Sequence, residues 1–149
     1  MGTLTDLERA KAMLCENAQV KCVLRKGIVQ YQSEKRGVAP MLGFLEQGVD
    51  LRGFSAADRV VGKATAFLFV LAGVSSVYGE VMSEEACKVL SRYGVEFQAK
   101  ETVPYIINRR GDGACPMETA VREIDDPKEA YLAVKRTQKM LTEPKKELI

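Results

Sequence analysis

Residues 54–99 read FSAADRVVGKATAFLFVLAGVSSVYGEVMSEEACKVLSRYGVEFQA, and this stretch decides the fold. Its apolar runs follow the order strand, helix, strand, helix, strand. Such an order predicts a βαβαβ unit with three parallel strands and right-handed crossovers. The first of the two helices is apolar on nearly every side, which predicts that it is buried in a layer against the sheet.

Capping residues and glycines set the predicted bounds within this unit. Asp58 follows the first strand and is the predicted N-cap of the apolar helix, which ends at Gly73. The second helix begins at a Ser83-Glu84-Glu85 cap and ends at Gly94. The predicted strands are residues 53–57, 74–81 and 95–99, and the predicted helices are residues 59–72 and about 84–93.

The segments on both sides complete a layered domain. Towards the N-terminus we predict a helix from about Leu4, capped by Thr3 or Thr5, a hairpin of strands 20–25 and 28–31, and a helix between Gly37 and Gly48. Towards the C-terminus, a helix opens at Cys115-Pro116 and a last one runs from residue 127 to about 141, followed by a frayed tail. The prediction is a single domain, residues 1–149, folded as a three-layer α/β/α sandwich. Its mixed sheet contains the hairpin and three parallel strands.

Composition excludes several classes of chemistry. The 149 residues contain no histidine, which excludes Ser-His-Asp hydrolysis, Cys-His proteases and histidine-bound zinc. The net charge of +2 and the scattered aromatic residues give no footprint for a nucleic acid polymer. The longest apolar run, residues 64–72, is about half of a membrane span. With no signal-peptide pattern and no cysteine framework, we expect a cytoplasmic protein with free thiols, no bound metal and no cofactor.

Three stretches carry residues suited to chemistry. The strand-to-helix turn at Asp58, Gly62 and Lys63 lies where parallel α/β sheets bind ligands, although Asp58 is equally explained as a simple cap. Arg36 and Gly37 precede a helix N-terminus and form a possible anion site, or else a solvated turn. Cys115 lies at another helix N-terminus, which favours thiolate. Its predicted neighbours are Asn108, Arg109, Arg110 and the proton carrier Glu118.

The order of elements and four motifs resemble the cytidine deaminase-like superfamily and, more narrowly, a small prokaryotic family of uncharacterised proteins within it. The motifs are Arg36-Gly37-Val38-Ala39-Pro40, residues 57–66 (ADRVVGKATA), residues 103–109 (VPYIINR) and Cys115-Pro116-Met117-Glu118. The resemblance covers nearly all of residues 4–125. It implies the deaminase-like fold but brings no established activity.

The resemblance also implies a lost zinc site. Zinc deaminases place a His or Cys and then a general-acid/base Glu at the start of the helix after the hairpin, and Pro-Cys-x-x-Cys at the start of the next helix. Here the first position holds Gly37-Val38-Ala39 and the second Asp58-Arg59-Val60-Val61-Gly62. Neither position supplies a ligand set for zinc. We therefore expect no zinc-dependent deamination.

Three functions remain open at this point. The leading hypothesis is a metal-free binder of a small phosphorylated ligand or nucleotide, held at the two helix N-termini. Its predicted contacts are Arg36, Gly37, Asp58, Gly62, Lys63, Asn108 and Arg109. The second is a thiol-dependent enzyme that uses Cys115 with Glu118. The third is a homo-oligomeric or partner-binding module that docks through the basic last helix.

Overall fold

The computed structural model describes residues 4–108, 111, 113 and 115–142. In chain order, the elements are α1 (Asp6–Glu16), β1 (Cys22–Lys26), β2 (Val29–Ser33), α2 (Ala39–Glu46), β3 (Ser55–Val61), α3 (Lys63–Ala72), β4 (Ser76–Ser83), α4 (Glu84–Arg92), β5 (Glu96–Val103), α5 (Pro116–Val121) and α6 (Pro127–Thr142). The described part of the chain thus contains a five-stranded sheet and six helices. The mixed α/β class is confirmed.

The sheet has the strand order β2-β1-β3-β4-β5. β1 pairs antiparallel with both β2 and β3, so the hairpin forms one side of the sheet. β3, β4 and β5 run parallel, as the βαβαβ pattern predicts. β3 is central because it joins the antiparallel half to the parallel half.

Helices cover both faces of the sheet. On one face, Ala10 and Leu14 of α1 pack with Val23, Ala57 and Tyr78 from three strands. The larger core lies on the other face, where Phe67, Leu68 and Phe69 of α3 are fully buried. α3 also packs against α4 and α6. The result is an α/β sandwich in which α3 is buried on nearly every side, as its composition predicts.

The bounds of β3 and α3 differ from the prediction. β3 continues through Asp58 to Val61, and α3 begins only at Lys63 with Gly62 as its N-cap. Asp58 is therefore a buried strand residue, and its predicted role as a helix cap is wrong. The strand is longer because β1 and β4 pair with it on both sides as far as Asp58 and Val61. At the sheet edge, β5 also extends beyond the predicted end, from residue 99 to Val103.

Candidate functional site

One cavity lies where β3 passes the N-terminus of α2, and we call it the Arg36–Asp58 pocket. It has a volume of about 300 Å³ and is lined by Lys21, Arg36, Gly37, Asp58, Arg59 and Val60. Gly37 has a φ of 64°, a conformation that glycine adopts without strain, and it turns the chain into α2. Three of the predicted ligand-binding residues, Arg36, Gly37 and Asp58, therefore meet here.

Asp58 supplies the buried polar group of this pocket. It lies opposite Cys22 of β1 and Gly79 of β4, and its residue is 3% exposed. Its Oδ1 accepts a long hydrogen bond of 3.4 Å from the backbone N–H of Val60. Its Oδ2 has no hydrogen-bond partner among the described residues. A buried polar atom without a partner is costly, and ligand sites are one place where such atoms persist.

Burial also changes the protonation of Asp58. Loss of hydration raises the pKa of its carboxyl group to about 8, although the backbone N–H groups of Val60 and Arg59 and the neighbouring Cys22 thiol act in the opposite direction. Burial raises the pKa of the Cys22 thiol as well, and the adjacent Asp58 adds to that effect. The Asp58 carboxyl and the neighbouring Cys22 thiol are therefore both largely uncharged at neutral pH.

The three cations that line the pocket are not equivalent. The Arg59 guanidinium donates to the carbonyl oxygens of Leu14, Asn17 and Val20 and pairs with Glu80. The Lys21 ammonium donates to the carbonyl oxygen of Ala18 at 2.9 Å. The exposed Arg36 guanidinium has no hydrogen-bond or ion-pair partner among residues 4–108, 111, 113 and 115–142. Arg36 is thus the cation of this pocket that is available to a ligand.

A second cavity, of about 550 Å³, opens at the carboxyl ends of the parallel strands. Its lining residues are Lys63, Ser83, Glu85, Pro104, Tyr105, Ile106, Glu118 and Arg122. Parallel α/β sheets commonly bind ligands at this edge. Here, however, the N-terminus of α3 is already occupied by a side chain of the same chain.

That side chain is Glu118 of α5. Its Oε1 accepts from the backbone N–H of Lys63 at 2.6 Å, and its Oε2 accepts from the N–H of Ala64 at 2.9 Å. Gly62 leaves the space that the carboxylate needs, since a Cβ at this position would overlap it. Burial raises the pKa of Glu118, whereas the two N–H groups and the Lys63 ammonium lower it.

The predicted ligand site is therefore divided. Gly62 and Lys63 lie with Glu118 beside the second cavity and not with Arg36 and Asp58. The Lys63 ammonium is committed to the carbonyl oxygen of Arg122 at 3.0 Å. The anion that approaches Gly62 is the internal Glu118 carboxylate.

Among the described residues, the contacts of Glu118 do not support the predicted thiol site at Cys115. Cys115 is the half-buried N-cap of the six-residue α5, and its carbonyl oxygen accepts from the Thr119 hydroxyl. Glu118, its predicted proton carrier, caps α3 instead. Asn108 lies in a tight loop, where its backbone N–H donates to Gly113. Arg109 and Arg110 lie outside the described residues.

Sequence reasoning missed several residues of the two cavities. Lys21 and Val60 line the Arg36–Asp58 pocket, and Tyr105 and Arg122 line the second cavity. No local pattern identifies them, because strand pairing and the position of α5 bring them into place. A signal for Lys21 exists only once β1 is known to pair with β3, which sets Cys22 opposite Asp58.

Neither a metal centre nor a membrane span is found in the part of the chain that the structure describes. No group of three or more His, Cys, Asp or Glu side chains there is arranged to hold a metal ion. No helix there has both the length and the apolar character that are needed to cross a membrane.

Comparison with known proteins identifies the family. No curated protein matches the chain significantly. The crystal structure of a DUF1893 family protein (TM1506) from Thermotoga maritima superimposes with a TM-score of 0.80 and 26% sequence identity, over 91% of this chain and 92% of that one. The family profile described as "TM1506: Domain of unknown function (DUF1893)" matches residues 9–138. Because this match spans most of the sequence, the chain belongs to the DUF1893 family.

Proposed function

We propose that this protein binds a small phosphorylated compound, such as a nucleotide, in the Arg36–Asp58 pocket without the help of a metal ion. The observation that carries the proposal is that buried Asp58, whose Oδ2 has no hydrogen-bond partner among the described residues, lines the same cavity as the free guanidinium of Arg36. A ligand with a phosphate at one end and a hydrogen-bonding group at the other satisfies both.

The charges of the pocket favour an anion. Arg36, Lys21 and Arg59 line it, while Asp58 is largely neutral at pH 7 because burial raises its pKa to about 8. A guanidinium binds phosphate through two parallel N–H donors, which is the geometry that Arg36 has free. A volume of about 300 Å³ lies at the lower end of the range for ligand pockets, which favours a compact ligand.

A deaminase-like ancestry of the fold is part of this proposal. The order α1, β1, β2, α2, β3, α3, β4, α4, β5 is the one on which the resemblance to the cytidine deaminase-like superfamily rests. The residues do not fit the zinc ion of that superfamily. Val38 and Ala39 open α2, and Gly62 and Lys63 open α3, so neither helix start offers a thiolate or an imidazole. The pocket is therefore proposed to bind a ligand and not a metal-activated water.

Titration with defined phosphates tests the proposal. The probes are the four ribonucleoside monophosphates, ribose 5-phosphate and inorganic phosphate, followed through the backbone amide signals of the ¹⁵N-labelled protein. We expect saturable shifts centred on Gly37 and Val60 for at least one organic phosphate. The Arg36→Ala variant should weaken that binding about tenfold or more, as expected for the loss of a charge-assisted pair.

The matched control is Arg136→Ala, which removes an exposed arginine of α6 that lines neither cavity. It should bind as the wild type does. If no probe gives saturable shifts near Gly37, or if Arg36→Ala binds as tightly as Arg136→Ala, the proposal is wrong. The proposal is also contradicted if inorganic phosphate binds as tightly as the organic phosphates do, since Asp58 would then have no part in recognition.

A further inference from the structure

Among the residues that the structure describes, no strand pairs with the outer edge of β5. β5 is the last strand of the sheet, and of the described elements only β4 and α4 pack extensively against it. Six of its eight residues are exposed and the other two are half-buried. It contains no proline, glycine or bulge, and its register with β4 is regular. An edge of this kind presents unpaired N–H and C=O groups to another strand.

The backbone of β5 fixes which residues face outward. The N–H of Glu96 donates to Ser75, so Glu96 directs its backbone groups toward β4. Backbone direction alternates along a strand, so Gln98 and Lys100 also face β4. The outward-facing N–H and C=O groups therefore belong to Phe97, Ala99 and Glu101.

We propose that two copies of this chain pair through β5, antiparallel, with Glu96 of each copy opposite Lys100 of the other and Gln98 on the two-fold axis. The two five-stranded sheets then form one continuous sheet. Such an interface is self-complementary, as two-fold symmetry requires.

The charges on β5 select this register. In an antiparallel pair, residues whose backbone N–H and C=O groups point to the partner strand lie opposite residues of the same kind. Odd-numbered residues of β5 therefore meet odd-numbered ones, and even-numbered residues meet even-numbered ones. Glu96 and Lys100 are both even-numbered and can meet, whereas Lys100 and Glu101 cannot. One register alone therefore places opposite charges across the β5 interface, and it does so twice.

The same register suits the other side chains of the strand. Glu96, Gln98 and Lys100 form non-hydrogen-bonded pairs across the interface, in which Cα atoms lie about 4.5 Å apart and side chains are closest. Phe97, a residue that is 36% exposed, lies opposite Ala99 of the second copy. The small alanine leaves room for the Phe97 ring to pack across the interface. The other edge strand, β2, is five residues long and has no charged residue to select a register.

Charge reversal with rescue tests the pairing. The full chain is compared by sedimentation velocity over a range of concentrations. Glu96→Lys and Lys100→Glu should each weaken dimerisation about tenfold or more, because each turns two attractive pairs into two repulsive ones. The double variant Glu96→Lys/Lys100→Glu should restore it, whereas Glu123→Lys, an exposed charge outside β5, should have no effect. A wild-type protein that remains monomeric at every concentration, or a double variant no better than the single ones, overturns the proposal.

Cross-linking gives a second measurement that does not depend on charge. In a background with Cys15, Cys87 and Cys115 replaced by alanine, Gln98→Cys should form an intermolecular disulfide on mild oxidation, since Cα atoms of such a pair lie within disulfide range. Thr102→Cys is the matched control on the same face of β5, and its two copies lie far from the axis. Equal cross-linking of both variants would exclude this register.

Discussion

The Glu118 carboxylate accepts a 2.6 Å hydrogen bond from the backbone N–H of Lys63, so a residue of α5 caps a helix that begins 55 residues earlier. The second carboxylate oxygen accepts from the next amide, and no side chain within α3 provides a cap. A negative charge at this position also complements the positive end of the helix dipole. The contact joins the C-terminal helices to the central element of the larger core.

We first predict that Glu118→Ala lowers the free energy of unfolding by about 1–3 kcal/mol, because it leaves two amides of a buried helix start without an acceptor. Glu118→Gln should lose less, since one acceptor oxygen remains. Urea unfolding measures both. Glu123→Ala, an exposed carboxylate nearby in sequence, should change stability by no more than a few tenths of a kcal/mol. A Glu118→Ala protein as stable as Glu123→Ala would show that the cap contributes nothing.

The second prediction concerns Gly62, where a Cβ would overlap the Glu118 carboxylate. Gly62→Ala should expel that carboxylate and destabilise the protein by about as much as Glu118→Ala, roughly 1–3 kcal/mol. The double variant should therefore lose much less than the sum of the two single losses. Gly43→Ala is the matched control, because Gly43 lies inside α2 with open space around it, and it should stabilise by up to about 1 kcal/mol. Simple additivity of Gly62→Ala and Glu118→Ala would contradict this coupling.

The caps show which parts of the fold follow from local sequence. Thr5 and Ser83 cap α1 and α4 as predicted, because each accepts from an amide only three residues ahead. The N-terminus of α3 was not predictable in this way, since its acceptor comes from Glu118. The order of elements along the chain, the hairpin and the parallel direction of β3, β4 and β5 likewise follow from the apolar pattern. The positions of Arg59 and Asp58 inside β3 instead depend on pairing with β1 and β4.

The same distinction explains the candidate site. Arg36, Gly37 and Asp58 were predicted together and do line one cavity. The sequence also assigns Gly62 and Lys63 to this site, because the predicted helix begins at Arg59 and places them in its first turns after Asp58. Lys63 lines the second cavity and Gly62 lies against Glu118 there, because Asp58 is inside the strand, several residues before α3 begins. Because β3 ends four residues later than predicted, one half of the expected site lies away from the other.

The third prediction is a pH dependence that originates in Asp58. Burial raises the pKa of this carboxyl group to about 8 from an ordinary value of 3.8, so the folded protein holds a proton that the unfolded chain releases. The stabilisation linked to this proton is complete below about pH 4 and is lost as the pH rises toward 8, by up to about 1.4 kcal/mol per pH unit.

Asp58→Asn isolates this contribution, because the amide has nearly the same shape and does not titrate. The difference in unfolding free energy between Asp58→Asn and the wild type should increase in favour of the variant between about pH 5 and pH 8 and then level off. Equilibrium unfolding at several pH values measures it. A difference that is independent of pH would mean that Asp58 has an ordinary pKa and is hydrated in the folded state.

The last prediction concerns Arg59 of β3, whose side chain connects α1 to the sheet. Its guanidinium donates to the carbonyl oxygens of Leu14, Asn17 and Val20 and pairs with Glu80. One side chain therefore supplies hydrogen-bond donors to the C-terminal end of α1 and to the segment after it. Lysine keeps the charge but has no planar fork and cannot reach these acceptors together. Arg59→Lys should therefore lower the free energy of unfolding by about 2–4 kcal/mol and speed amide hydrogen exchange in α1 more than in α3. Arg136→Lys, on the exposed side of α6, should leave both unchanged. Uniform acceleration of exchange in α1 and α3 would show that Arg59 stabilises the whole domain and not the attachment of α1.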